Sequence, residues 1–451
     1  MTSPRATAPA LGAAPALHLP PQQRHWLSNG LEVIVVAQRD LPVVDVRFFA
    51  RGGAAAHGPA RGGLAWLTAE LLDQGTRTRT ASQIADQAEL LGASLQSRAS
   101  WDTIAAGLHV LTPRLLPALA LLADIITSPV FPDAELERKR DERLAAILQE
   151  MDDPRALASM AFTAAVYGSE HPYGVPVAGT RTSVQALERS AVLDFYARTM
   201  TPGRSFLVLA GDVDADAVIP ALEQLFGGWN GDAGAATSPL PAPRQETGIQ
   251  VVDRPDAPQS ELRIGLPGPP RSTADHFPLL VANTVLGGSF TSRLNIRLRQ
   301  EKGYTYGAGS SFAFRTGGGP FVASTAVHTA ATADAVDTIH AEIARLAARP
   351  VPAAELERAQ NYIVLGLPRT FETTADLAEH VAEVALHGLG DEYYDRYADH
   401  VRAVTADEVL DVAARWLRPD ELTTMIAGDA AVISRDLEAL GRGAVHVRKN
   451  G

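Results

Sequence analysis

One stretch of this chain is written twice. Residues 192–212 read VLDFYARTMTPGRSFLVLAGD, and residues 409–429 read VLDVAARWLRPDELTTMIAGD. At a constant offset of 217, nine of 21 positions are identical, among them Val192, Asp194, Arg198, Pro202 and Gly211. A second echo, AELER at 134–138 and again at 354–358, has an offset of 220. Two echoes in the same order and nearly in register mean that one unit of roughly 220 residues is used twice. Residues 229–248, WNGDAGAATSPLPAPRQETG, are rich in Gly, Ala, Pro and Ser and lack apolar periodicity, as a linker does. The expected division is a tail over 1–24, one domain over 25–230, a linker over 231–248 and a second domain over 249–445.

Each unit mixes short β-rich runs with long helical ones. Leu31-Glu-Val-Ile-Val-Val36 and Val43-Val-Asp-Val-Arg-Phe-Phe49 read as strands, rich in β-branched residues and partly alternating. Apolar residues recurring at three and four predict helices over 63–73, about 81–92, 113–126 and 133–151, with Pro132 and Asp133 starting the last. Ser205-Phe-Leu-Val-Leu209 reads as a buried strand ending in Gly211-Asp212. The expected fold class is α+β: two homologous domains, each a mixed or antiparallel sheet backed by helices, related by internal duplication.

Composition narrows the chemistry. There is no cysteine, so disulfide scaffolds, thiolate zinc sites and cysteine nucleophiles drop out. Forty Lys and Arg against 52 Asp and Glu leave a formal charge of −12, which argues against a nucleic-acid binder. Only Lys139, Lys302 and Lys449 are lysines, so arginine is the default cation here and a lone Arg says little about binding. No run reaches the ~20 apolar residues that span a bilayer, and no membrane partner is expected. The opening MTSPRATAPALG is broken by prolines and lacks the apolar core of a secretory signal. The expected compartment is the cytoplasm, with the periplasm as the alternative should a signal peptide precede this sequence.

Three further stretches carry a resemblance. They are GGLAWLTAELLDQGT at 62–76, His171-Pro-Tyr-Gly174, and LGGSFTSRLNIRLRQEKGYTY at 286–306. With the doubled VLD…AGD segment, they resemble the pitrilysin (inverzincin) family of zinc peptidases from about Leu31 to about Leu440. The resemblance implies halves that close around an unfolded peptide, as a clam built from one chain or two. A family peptidase carries His-x-x-Glu-His on the helix after Gly-Leu-Ala, where two His one turn apart bind zinc and the Glu acts as base. Here Trp66 and Glu70 stand at the histidine positions and Ala69 at the base's. The third ligand, a distant Glu, falls on Ala146, whether counted from Glu70 or from Pro154. One carboxylate makes no zinc site. The resemblance therefore implies a degenerate zinc site, with no metal or other cofactor bound by this chain and zinc expected in a partner subunit.

Among twelve histidines, His380, Glu383 and His387 share a helix face, but two turns, roughly 10 Å, separate the imidazoles. A polar surface or interface is the preferred reading there. Gly317-Gly-Gly319 before Pro320 reads as a turn between strands, not a phosphate cradle.

The family's C-terminal domain also supplies an Arg and a Tyr, seven residues apart, to a zinc site in the opposing domain. On this sequence the pair is Arg299 and Tyr306, with Tyr304 the near miss. A phenol donates to a developing oxyanion, and a guanidinium anchors the peptide carbonyl. The bland reading makes Arg299 one arginine among many and Tyr306 a half-buried strand aromatic. Loss of the metal ligands beside retention of this pair implies a non-catalytic subunit of a heterodimeric zinc metallopeptidase. Such a chain is no peptidase alone; it binds peptide and completes the site of a homologous partner bearing His-x-x-Glu-His. The alternatives are a fully non-enzymatic structural or peptide-binding relative, like a respiratory core subunit, and an enzyme using an unrecognised site. A mitochondrial presequence reader is disfavoured, since only Gly287-Gly288 precede Ser-Phe-Thr-Ser-Arg-Leu.

Overall fold

A computed structural model describes residues 17, 19–231 and 240–448. Most of the tail over 1–24 and residues 232–239 of the linker lie outside the described residues. Strand β1 begins at Gln22, inside the stretch read as tail, and the last strand, β12, continues to Arg448.

The chain builds two six-stranded sheets. The first holds β1 (Gln22–Trp26), β2 (Glu32–Ala37), β3 (Val43–Arg51), β4 (Ser94–Ala99), β5 (Thr103–Leu111) and β6 (Ser205–Gly211), in the order β1-β2-β6-β3-β5-β4. The second holds β7 (Gly248–Asp253), β8 (Gln259–Pro267), β9 (Ala308–Phe312), β10 (Pro320–His328), β11 (Thr423–Gly428) and β12 (Val445–Arg448), in the order β12-β7-β11-β8-β10-β9. Strands β2 and β6 pair in parallel, as do β7 and β11, while β6-β3-β5-β4 and β11-β8-β10-β9 run antiparallel. The two central strands, β6 and β11, are buried at every residue and lie in the doubled segments. The α+β class with duplicated mixed sheets is what the sequence implies. The sheets differ at one edge: β1 joins β2 as an antiparallel hairpin, whereas β12 arrives from the C-terminus and pairs in parallel with β7.

Helices follow the apolar periodicity. The first five are α1 (Leu64–Glu70), α2 (Ala81–Leu91), α3 (Leu115–Thr127), α4 (Asp133–Asp152) and α5 (Pro154–Tyr167). The α2 helix opens on a capping box in which the Thr80 hydroxyl accepts from Gln83 N and the Gln83 side chain accepts from Thr80 N. Each sheet has its own apolar core.

Two helices are exchanged between the halves. The α5 helix lays Leu157, Phe162 and Val166 against Val252, Met425 and Ala427 of the second sheet. Reciprocally, the helix Thr374–His387 lays Leu377, Val381 and Val384 against Ile34, Phe49, Phe206 and Val208 of the first. The two helices start at Pro154 and Thr374, the same offset of 220 that relates the AELER echoes. The exchanged helix is fastened at its start by Asp45, which is wholly buried. Its carboxylate accepts from Thr374 Oγ1 at 2.6 Å and Arg47 Nη2 at 3.0 Å, and lies 2.8 Å from His109 Nδ1. A second pin is Arg315, whose guanidinium carbon lies 3.5 Å from the Trp101 ring centroid and 4.6 Å from that of Tyr173. Asp102 completes this pin, accepting from the Tyr173 hydroxyl at 3.1 Å and from Thr316 N at 3.0 Å.

Candidate functional site

Helix α1 carries Trp66, Ala69 and Glu70, three of the four positions that the resemblance assigns to a lost zinc site. It starts where Gly63 adopts φ +92°, a conformation that side chains other than glycine rarely take. Ala65, Leu67 and Ala69 face the core, and Thr68 Oγ1 donates to Leu64 O at 2.8 Å. Trp66 is half-buried, and the fourth position, Ala146, lies across on α4, also half-buried.

The side chain that meets Trp66 is Arg143, one turn before Ala146, with its guanidinium carbon 6.0 Å from an indole ring centroid. Arg143 is itself buried and held bidentate by Glu150 at 2.5 and 2.9 Å, with Nε donating to Ala178 O at 3.0 Å. Glu70 is paired with Lys139, whose Nζ lies 3.0 Å away. Thus α4 presents two cations toward α1, and each carboxylate nearby has a cationic partner. These residues do not fit a zinc ion. There is no imidazole, the single carboxylate is neutralised, and a divalent cation would sit beside two like charges. Among the described residues no group of three or more His, Asp or Glu is placed to hold a metal.

Arg299 and Tyr306 lie on the segment 287–307 between the helix His276–Leu286 and strand β9. Ile296–Glu301 is a single π-helical turn, a form often found at functional sites. Leu298 anchors it in the core and accepts at its carbonyl from Tyr304 N at 2.9 Å. The loop that follows is tied from beneath. Thr325 Oγ1 lies 3.0 Å from both Thr305 Oγ1 and Gly307 O, and buried Asn295 takes Ala308 N on its Oδ1 at 3.3 Å. The two tyrosines part company here. Tyr304 packs edge-on against His328 at 5.5 Å, and its hydrogen bond to Asp334 raises its pKa. Tyr306 is 94% exposed. It is thus a free phenol, not the half-buried strand aromatic of the bland reading.

Tyr306 lines a cleft of about 600 Å³ whose walls include Arg155 from α5, Glu261 and Arg263 from β8, and His328. Arg299 is not among those walls; its guanidinium carbon stacks 4.6 Å over the ring of Phe290. The structure therefore sets the two residues on one segment without bringing their side chains into one cleft. Arg155 and Arg263 escaped the sequence reading. The available signal was the alternation Ser260-Glu261-Leu262-Arg263-Ile264, which marks a strand with one polar face. For Arg155 there was none, because its contribution depends on the exchange of α5.

Residues 33–181 match the insulinase domain of peptidase family M16, and residues 186–363 match the peptidase M16 inactive domain. An uncharacterized zinc protease of Mycobacterium tuberculosis (strain ATCC 25618 / H37Rv) is 32% identical over 302 residues, covering 65% of this chain and 67% of that protein. Another, of Mycobacterium leprae (strain TN), is 29% identical over 354 residues, covering 76% of this chain and 78% of that protein. A solved peptidase M16 inactive domain from Pseudomonas fluorescens superposes with a TM-score of 0.84 at 24% identity, covering 90% of this chain and 98% of that one. A protease from Helicobacter pylori gives 0.84 at 18% identity, covering 91% and 100%. The chain belongs to peptidase family M16, the pitrilysin-like zinc peptidases, and includes that family's inactive domain. Among the described residues no helix is long and apolar enough to cross a membrane.

Proposed function

We propose that this chain is the non-catalytic subunit of a two-chain M16 zinc metallopeptidase, binding peptide and presenting Tyr306 and Arg299 to the zinc site of a His-x-x-Glu-His partner. The observation that carries the reading is a contrast. Between α1 and α4, Glu70 is paired with Lys139, Arg143 with Glu150, and the space is taken by Trp66 and Arg143, whereas Tyr306 stands 94% exposed on a tethered loop. A rigid loop holding an unpartnered phenol in solvent has a physical use when a second surface closes over it. In the assembled site the Tyr306 hydroxyl would donate a hydrogen bond to the oxyanion that forms at the scissile carbonyl, and Arg299 would anchor a neighbouring peptide carbonyl. The partner's zinc, when bound, supplies the Lewis acid and the activated water. A fully non-enzymatic, peptide-binding role is the second reading, and the stacking of Arg299 on Phe290 favours it.

The test is reconstitution. Purified alone, the chain should hold no stoichiometric zinc and cleave no unfolded peptide; mixed with a homologue carrying the intact motif, it should raise that partner's turnover. Metal-dependent proteolysis by the lone chain would overturn the reading. A partner that cleaves equally fast with or without this chain would leave the non-enzymatic role in its place.

A further inference from the structure

Asparagine followed by glycine is a reactive pair, because the glycine nitrogen, unshielded by a side chain, can attack the asparagine side-chain carbonyl carbon. The sequence holds three such pairs: Asn29–Gly30, Asn230–Gly231 and Asn450–Gly451. The last lies outside the described residues. The first two are neighbours in space, yet the fold treats them in opposite ways.

Asn29 sits in the turn between β1 and β2, where the groups that the attack needs are already in use. Its Nδ2 donates to Phe226 O at 2.7 Å and to Trp229 O at 2.9 Å, and its Oδ1 accepts from Leu31 N at 3.1 Å. The nucleophile, Gly30 N, donates to Leu27 O at 2.9 Å, and Gly30 is held at φ +86°. Reaction there would break these bonds and release the turn from the end of the helix Ala215–Phe226.

Asn230 directly follows Trp229, whose carbonyl Asn29 holds, and stands at the junction with the linker between the two halves. It is exposed, and its side chain makes a single hydrogen bond, from Nδ2 to Gly228 O at 2.9 Å. Gly231 N makes none among the described residues. Packing also favours glycine at 231, since a Cβ there would lie 2.8 Å from Thr201 Cγ2. The reactive neighbour of Asn230 is therefore built into the fold, while nothing like the clamp on Asn29 protects it.

We propose that Asn230–Gly231 is a modification site at which the chain deamidates, with water as the co-reactant. Gly231 N loses its proton and bonds to Asn230 Cγ, the Cγ–Nδ2 bond breaks, ammonia leaves, and a cyclic imide remains. Water then opens either ring carbonyl, giving aspartate or the β-linked isoaspartate. The net change consumes one water and releases one ammonia, with no oxidation or reduction. Either product adds a carboxylate beside the linker, and the isoaspartyl form adds a methylene to the main chain between the halves.

The test ages the full chain in warm, mildly alkaline buffer. Trypsin then puts Asn29 and Asn230 on separate peptides, 25–39 and 205–244. Mass spectrometry reads the exchange of NH2 for OH in each, and an isoaspartyl carboxyl methyltransferase with S-adenosylmethionine labels the β-linked product. Four hydrogen bonds hold the first pair and one the second. Peptide 205–244 should therefore convert at least about tenfold faster, each extra bond being worth up to about tenfold. Ageing in guanidinium chloride should bring the two rates together, because the fold and not the dipeptide separates them. Asn230→Gln, which would have to close a larger ring, should abolish the label on 205–244 and leave thermal unfolding unchanged. Equal rates in the folded chain, a difference undiminished in denaturant, or an unlabelled 205–244 peptide overturns the proposal.

Discussion

Between α1 and α4 of the first domain, Glu70 is paired with Lys139 and Glu150 with Arg143, an indole meets a guanidinium, and Ala65, Leu67 and Ala69 of α1 are packed into the core. In the second domain, the loop over 302–307 is fastened from below while its one free phenol projects into solvent. Both regions come from copies of one unit, so the difference is side-chain chemistry on a shared frame. It teaches that one place in a fold can be packed closed with paired charges while another surface of the same fold keeps a side chain exposed.

The largest expected effect tests whether the first region is truly sealed. Arg143→Ala leaves Glu150 without its partner and Trp66 without its cation, and should cost roughly 3 kcal/mol of stability, with Trp66→Ala costing slightly less. The matching truncation Tyr306→Ala should move thermal unfolding by less than about 0.5 kcal/mol, because an exposed side chain has little to lose. Equal losses at both places would erase the contrast.

Turnover sharpens it from the other side. Tyr306→Phe removes one oxyanion donor, and the assembled complex should lose about 100-fold in kcat with the fold unchanged. An unaltered kcat would strip Tyr306 of its role.

A third prediction uses a buried difference between the halves. His340, in the helix Thr332–Ala348, pairs through Nε2 with Thr424 Oγ1 at 2.8 Å, whereas the positions 217 residues earlier are apolar Ala123 and Leu207. Burial lowers the His340 pKa from the ordinary 6.5 to about 4. The unfolded chain therefore takes a proton near pH 6.5 and the folded one does not until about pH 4, so stability falls as pH drops through that window. By pH 5 the loss from this residue should be about 2 kcal/mol. His340→Leu should flatten that slope in thermal unfolding followed from pH 7 to pH 4.5; an unchanged slope would clear His340 of acid sensitivity.

The smallest effect belongs to Tyr304→Phe. Tyr304 is tied to Asp334 and His328, so kcat of the complex should stay within about twofold. A large loss there would transfer the catalytic assignment from spacing seven to spacing five.

Much of the frame was legible because local rules wrote it. The strands near 31–36 and 43–49, the start of α4 at Asp133, and the duplicated central strands all follow from periodicity and repetition. Partners across space were not. Nothing in the spacing of Trp66 says that Arg143 will face it, because that contact is set by how α1 and α4 cross. An amphipathic pattern over 154–167 marks an apolar face but not which sheet receives it. Hence Arg155, carried over by α5, was invisible as part of the Tyr306 cleft, and the Glu383 face was read without Arg271, whose Nε donates to Glu383 at 2.8 Å.

The exchange of helices also places the molecule in time. As the chain leaves the ribosome, the face of the first sheet around Ile34, Phe49, Phe206 and Val208 has no cover until residues 374–387 have been made. For the synthesis of more than a hundred residues, an apolar surface waits in water, open to sticky encounters. The N-terminal copy matures only when its younger twin arrives, so a ribosome stalled before that helix releases a half-dressed sheet, not a finished domain.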